Sequence, residues 1–324
     1  MNVTGGQVQT SRLAAAVLAL AACGGTPHRD PIHPAPVHEP AGPMSAASMM
    51  RDVLWLCAPA RRGRRAFSPE AAATADYIAR AFASAGLEVS RQPIPGGGAN
   101  IIGLRAGNER AVIVSAHYDH LGTGDGGAIY TGADDNASGV AVLLALARKS
   151  ATEQYRQTLL FIAFGAEEPG LVGSGVYIRS PTWALDKTTA IINFDMVGRR
   201  FFESGANRDA AAAIIGLEHH PDLRRLAIAS ARRAGLTLIP APARLLEVFG
   251  FDDRTDDWWF RRRGVLAIHF STGMHPDYHR PTDTPDKLVA AQMERIARTA
   301  HALMAALAEP RTEATTRRKP EAAP

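Results

Sequence analysis

Five short stretches of this sequence carry histidines and carboxylates at spacings that could do chemistry. The first is Ser115-Ala116-His117-Tyr118-Asp119-His120-Leu121-Gly122. A metal-bound imidazole needs its second ring nitrogen held by an acceptor, and Asp119, two residues on, could supply that carboxylate. Taken alone, such a His-x-Asp pair is more often a structural hydrogen bond than a metal site. The second stretch, Gly132-Ala133-Asp134-Asp135-Asn136-Ala137-Ser138-Gly139, leads into an apolar helical pattern. Asp134 and Asn136 suit the capping of that helix, while a carboxylate on so tight a turn can also bridge two cations. In Ala166-Glu167-Glu168-Pro169-Gly170 two adjacent carboxylates repel each other, which normally places them in solvent. If a dication takes one of them, the other is left as a general base toward water. Asn193-Phe194-Asp195-Met196-Val197-Gly198 ends an apolar run on an acid, either a cap or a ligand. The last stretch, Gly273 to Asp286, is too rich in proline for a helix and holds His275 and His279. A polar surface loop is its plain reading, and a fair one for His275.

These residues fall at the ends of predicted elements. Ala111 to Ala116, Thr158 to Phe164, Ala190 to Phe194 and Val265 to Phe270 are short apolar runs rich in Val, Ile and Phe, the pattern of buried strands. Helical patterns lie at Ser138 to Lys149, Asp222 to Ala234, Asp256 to Arg263 and Lys287 to Ala308. An earlier helix opens on the cap Ser68-Pro69-Glu70 and stops at Gly86. The alternation argues for an α/β domain around a mostly parallel sheet. Ligands of such sheets bind outside the carboxyl ends of the strands, where His117, Glu167, Glu168 and Asp195 stand. The segment Phe201 to His220 fits no motif and reads as an insertion near the cleft.

The chain of 324 residues is 46% hydrophobic and 21% charged, ample for one large core. Its formal charge of +4 is mild, and the basic runs Arg61 to Arg65, Arg261 to Arg263 and Arg317 to Lys319 lack aromatic interleaving. No nucleic-acid partner is expected. Residues 1–22 read as a signal peptide, because the apolar run Leu13 to Ala22 is too short to span a bilayer. Leu20-Ala21-Ala22-Cys23 resembles a bacterial lipobox, which would lipidate Cys23 and hold the protein to a membrane of the cell envelope. Gly24 then favours the periplasmic side of the outer membrane or the cell surface. A Pro-rich tether follows over 23–44, a folded domain is expected over 45–309, and 310–324 reads as a disordered tail. With Cys23 acylated no intramolecular disulfide is available, and Cys57, in an apolar run, reads as a buried thiol.

The order and setting of the five motifs closely resemble metallopeptidase family twenty-eight, over roughly Ser45 to Leu307. The resemblance implies a single three-layer domain with helices on both faces of a twisted sheet, and two zinc ions. Carried over, Asp135 bridges both ions, Glu168 and His279 complete one site, and His117 and Asp195 the other. Glu167 is then the catalytic base, Asp119 orients His117, Tyr278 hydrogen-bonds the reacting carbonyl, and the Asp135-Asn136 bond is cis. Two histidines and three carboxylates with no thiolate suit zinc better than calcium or magnesium. The implied activity is an exopeptidase acting on peptides or small proteins, foremost an aminopeptidase. A carboxypeptidase or dipeptidase on the same scaffold would use an arginine for the substrate carboxylate, with Arg199, Arg200 and Arg244 as candidates. A glutaminyl cyclase and a non-catalytic binding lipoprotein rank below these. Where many members carry Ser-Asp before an aromatic stretch, this chain has Thr255-Asp256-Asp257-Trp258-Trp259.

Overall fold

The structure is a computed structural model that describes residues 42–201, 210–249 and 253–309. The signal-like segment with Cys23, most of the tether and the tail lie outside the described residues, as do 202–209. Strands β1 (Glu88–Pro93), β2 (Ala99–Arg105) and β3 (Asn108–His117) come first. A two-residue pair follows, β4 (Gly122–Thr123) with β5 (Ile129–Tyr130), and then β6 (Gln157–Phe164), β7 (Thr188–Phe194), β8 (Ala211–Ile215), β9 (Thr237–Ala241) and β10 (Leu266–Ser271). Eight of them form one sheet in the order β1-β2-β6-β3-β7-β10-β8-β9.

The four apolar runs legible in the sequence are its parallel centre, β6, β3, β7 and β10. They are apolar on both sides because each side is covered by helices. On one face Val112, Val114, Phe161 and Ile192 pack against the helices Ala46–Leu56, Pro69–Ser84, Gly139–Ser150 and Ala290–Ala308. On the other, Ile113, Leu160, Ile162 and Phe164 meet Tyr177 and Ile178 of the helix Val172–Arg179 and Phe260 of the short helix Trp258–Arg261. The three-layer arrangement is the expected one.

The sheet margins differ from the expectation. β1 and β2 form an antiparallel hairpin, and β2 runs antiparallel to β6. β1 is largely exposed, so it lacks the apolar signature of a strand. The end of the unplaced segment, Ala211–Ile215, is not an insertion but strand β8, antiparallel to β10. Its run of alanines favours a helix in isolation, and pairing with β10 and β9 overrides that preference. The helix expected over Asp256 to Arg263 shrinks to Trp258–Arg261, with Asp256 and Asp257 buried ahead of it.

Capping went as the residue types require. Ser68 Oγ accepts the Ala71 amide at 3.1 Å, and the following helix stops before Gly86 at φ 73°. Cys57 is buried, its thiol pushed up to about 11 mainly by that burial.

The N-terminal part of the domain reaches the carboxyl edge of the sheet through Arg64, which is fully buried. Its guanidinium donates to the carbonyls of Tyr118 (2.9 Å), Leu56 (3.1 Å), Thr131 (2.7 Å) and Gly132 (3.0 Å). It therefore ties the first helix to two of the loops singled out by the sequence. An unpaired buried carbonyl costs about 1–3 kcal/mol, so losing the donors should be severe. Arg64→Met is expected to lower the free energy of urea unfolding by about 3 kcal/mol or more. An unchanged unfolding midpoint would show that water replaces the guanidinium at no penalty.

Candidate metal centre

The chain leaves β3 toward β6 on one side and returns to β7 on the other, so the carboxyl ends of these strands form a switch point. Registry places the functional side chains level with one another. His117 ends β3 opposite Phe164 of β6, and Ser115 stands opposite Asn193 of β7, which brings His117 alongside Asp195. Glu167 and Glu168 follow β6 by way of Ala166 in the left-handed region (φ 55°). Met196 and His279 share that conformation at φ 57° and 55°. Non-glycine residues held there next to the acids are the local strain expected around a functional site.

The donor atoms converge as two groups. His117, Asp135 and Asp195 offer ligand atoms all within 4.8 Å of one another, as do His120, Asp135 and Glu168. Asp135 belongs to both. Its Oδ1 lies 3.4 Å from His117 Nε2, and its Oδ2 lies 3.2 Å from His279 Nε2. His117 Nε2 is also 3.4 Å from Asp195 Oδ1, and His279 Nε2 is 3.2 Å from Glu168 Oε2. Two ligands about 2.0 Å from one tetrahedral zinc stand about 3.3 Å apart. The four separations match that edge, so the residues fit two zinc ions sharing Asp135.

Their burial makes the same demand. Asp135 is 4% exposed and His117 2%, and the charged partners that face Asp135, Glu168 and Asp195 are histidines. His117 Nδ1 and Asp195 Oδ1 are buried without a hydrogen-bond partner. Carboxylates packed together away from water need cations.

The adjacent glutamates are treated in opposite ways. Glu167 is pushed well above the carboxylate range by burial, with Asp256, Asp195 and Glu168 adding to this and His117 opposing it. For Glu168 burial and Asp135 act upward, but hydrogen bonds from His120 and His279 bring it below its ordinary value. Asp135 lies well below the usual range, because His117, His279 and His120 outweigh its burial.

The loop behind Asp135 is held by polar groups. Asp283 Oδ2 accepts the amides of Asp134 (2.9 Å) and Asp135 (3.2 Å), and the Asp135-Asn136 bond is cis. Asn136 caps the next helix by accepting the Gly139 amide at 3.0 Å and donates to the Phe194 carbonyl at 2.9 Å. Asp134 points away from the donor groups, accepting the Gly198 amide at 2.6 Å and lying 3.3 Å from His275 Nε2. His275 is thus buried beside Asp134 and is not a surface histidine.

One further expectation needs correction. Asp119 Oδ1 stands 3.9 Å from His117 Nδ1, too far for a hydrogen bond. The Asp119 carboxylate instead accepts the amides of Glu167 (3.0 Å) and Glu168 (3.3 Å), which fixes the acidic turn. His120, passed over in the sequence, lies in the site with Nδ1 2.7 Å from Glu168 Oε1. The signal was its place in the same strand-end loop as His117. Tyr278 stacks on His279 at 3.8 Å, and burial together with the carboxylates Asp135, Asp195, Glu168 and Glu167 keeps its phenol protonated. Asp256 is buried close enough to raise Glu167, and its own carboxyl is pushed up to about 7 by burial, with Asp119 and Asp195 contributing.

Fold and site together define an α/β protein with donor groups for two cations. The chain matches Peptidase family M28 over residues 100–304, and it belongs to that family of zinc peptidases. It is 26% identical to the YfbL protein of Escherichia coli (strain K12) over 251 residues, 69% of this chain and 76% of that one. Aminopeptidase YwaD of Bacillus subtilis (strain 168) is 38% identical over 104 residues, 31% of this chain but only 22% of that longer protein. Among solved structures, the aminopeptidase from Aneurinibacillus sp. strain AM-1 superposes with a TM-score of 0.67 at 18% identity, covering 82% of this chain and 95% of that one.

Proposed function

We propose that this protein is a two-zinc aminopeptidase in which Asp135 bridges the ions, Glu168 and His279 complete one site, and His117 and Asp195 complete the other. The observation that carries the reading is the bridging position of Asp135, whose two oxygens face two separate donor groups. Bound zinc would polarise the scissile carbonyl and acidify water at the site. Glu167 is the general base. Its Oε2 lies 4.0 Å from His117 Nε2, farther than the ligand separations above, and its burial favours the protonated carboxyl, as suits a group that takes a proton from water and hands it to the leaving amine. The Tyr278 phenol donates to the carbonyl oxygen, and Asp119 positions both glutamates through their amides.

The engagement of one candidate arginine supports action at the amino terminus. Arg199, a candidate for holding a substrate carboxylate, is buried against Asp277 at 2.9 Å and Asp283 at 3.7 Å. The aminopeptidase names of relatives point the same way.

Peptides with free amino termini should be shortened from that end, and acetylation of the terminus should abolish cleavage. Release of residues from the carboxyl end, or equal rates on acetylated peptide, would replace this reading with a carboxypeptidase or endopeptidase.

Glu167→Gln keeps shape and removes the proton acceptor, so kcat should fall about 10²- to 10⁴-fold with zinc content unchanged. Asp135→Asn should lose zinc, because an amide is a poor substitute for a carboxylate on a dication. Zinc loss in Glu167→Gln would reverse the roles of the two glutamates.

We further propose that the enzyme works as an envelope lipoprotein anchored through Cys23, on the strength of Leu20-Ala21-Ala22-Cys23 and the Pro-rich stretch after it. Cys23→Ser should leave it unprocessed or release it from membranes. A processed, membrane-bound variant would exclude the anchor.

A further inference from the structure

His120 has no part in the ligand set carried over from the family, yet it is 1% exposed and in direct contact with that set. Its Nδ1 lies 2.7 Å from Glu168 Oε1 and 3.8 Å from Asp135 Oδ2. Two ligands of one tetrahedral zinc keep about 3.3 Å between them. The 2.7 Å separation is shorter than that and is a hydrogen-bond length, so His120 and Glu168 Oε1 are partners of each other rather than joint ligands. An ionised carboxylate only accepts, which puts the proton on Nδ1.

The two oxygens of Glu168 are thereby divided. Oε1 faces His120, while Oε2 faces His279 Nε2 at 3.2 Å, one tetrahedral edge away. The imidazole lies against the backbone of the turn that carries Asp135. A Cβ built on Gly132 would lie 2.4 Å from His120 Cγ, and Gly132 itself is held in the left-handed region at φ 54°. The His120 amide donates to the Arg64 carbonyl at 3.2 Å, and the Arg64 guanidinium holds the Gly132 carbonyl at 3.0 Å. The ring is therefore clamped between the turn that carries Asp135 and the carboxylate it contacts.

We propose that His120 is a positioning residue for the Glu168 half of the metal centre: it occupies Oε1, so that Glu168 presents Oε2 alone to the cation. This rests on the two-zinc reading above. Outer partners of metal ligands are typically worth about 10- to 100-fold in metal affinity, and here the loss should fall on one ion of the two. Among the described residues the His120 ring bonds neither His117 nor Asp195, so the ion of that half should be retained.

The full-length protein would be loaded with zinc and titrated with chelators of graded strength, with metal per chain as the readout, alongside absorption spectra of the cobalt-substituted protein. His120→Ala should release one of two zinc ions about 10- to 100-fold more readily than the parent. His120→Asn, whose amide nitrogen can occupy the Nδ1 position, should restore most of the affinity, and His120→Gln, whose amide reaches the Nε2 position, should not. This Asn and Gln contrast also serves if His120→Ala does not fold, since a general packing role would not distinguish them in that direction. The cobalt bands of His120→Asn should match the parent. Unchanged affinity in both His120→Ala and His120→Gln would overturn the proposal, as would cobalt bands in His120→Asn showing the loss of a nitrogen ligand. A parent protein that binds fewer than two ions would instead contradict the two-zinc reading.

Discussion

The interaction on which this structure depends is the repulsion among carboxylates packed at the carboxyl ends of β3, β6 and β7. Asp119, Asp135 and Asp256 are buried close enough to Glu167, Glu168 and Asp195 to repel them. No apolar core would gather such groups unless cations were to join them. Much of the surrounding structure keeps the acids in place against their mutual repulsion. Asp283 holds the amides of Asp134 and Asp135, Asp119 those of Glu167 and Glu168, and Arg64 the carbonyls of the two flanking loops.

The sheet supplies what these local bonds cannot. Parallel strands β3, β6 and β7 deliver His117, the two glutamates and Asp195 to one edge, with β10 feeding the loop that returns His279. The two faces are unequal. Long helices, Pro221–Arg233 among them, cover one face, whereas the other carries short helices and a buried polar row. In that row Ser115 bonds Asn193 at 2.7 Å, and His269 lies 3.1 Å from Asp257. These groups sit one step along the strands from His117 and Asp195, so the polar character of the site extends into the sheet beneath it.

The central strands could be read from the sequence because burial on both faces leaves continuous apolar runs such as Thr158 to Phe164. The margins could not. β1 is exposed and β8 is alanine-rich, so their strand character comes from their neighbours. At the site, residues at strand ends were legible because chain order and strand position agree for them. His120 and Asp283 were not, since their roles depend on loops that meet only in three dimensions, Glu168 being 48 residues away from the one and Asp134 149 from the other. Asp119 shows the converse. Its proximity in sequence to His117 suggested a bond that the folded loop redirects to the backbone of Glu167 and Glu168.

The central claim is that two dications compensate the buried acids, and thermal unfolding of the metal-free protein during stepwise addition of zinc tests it most directly. Binding to the folded state alone raises Tm by mass action. Tm should climb with added zinc until two equivalents per chain are bound and then level off. A Tm that does not respond to zinc, or that saturates at one equivalent, would contradict the claim.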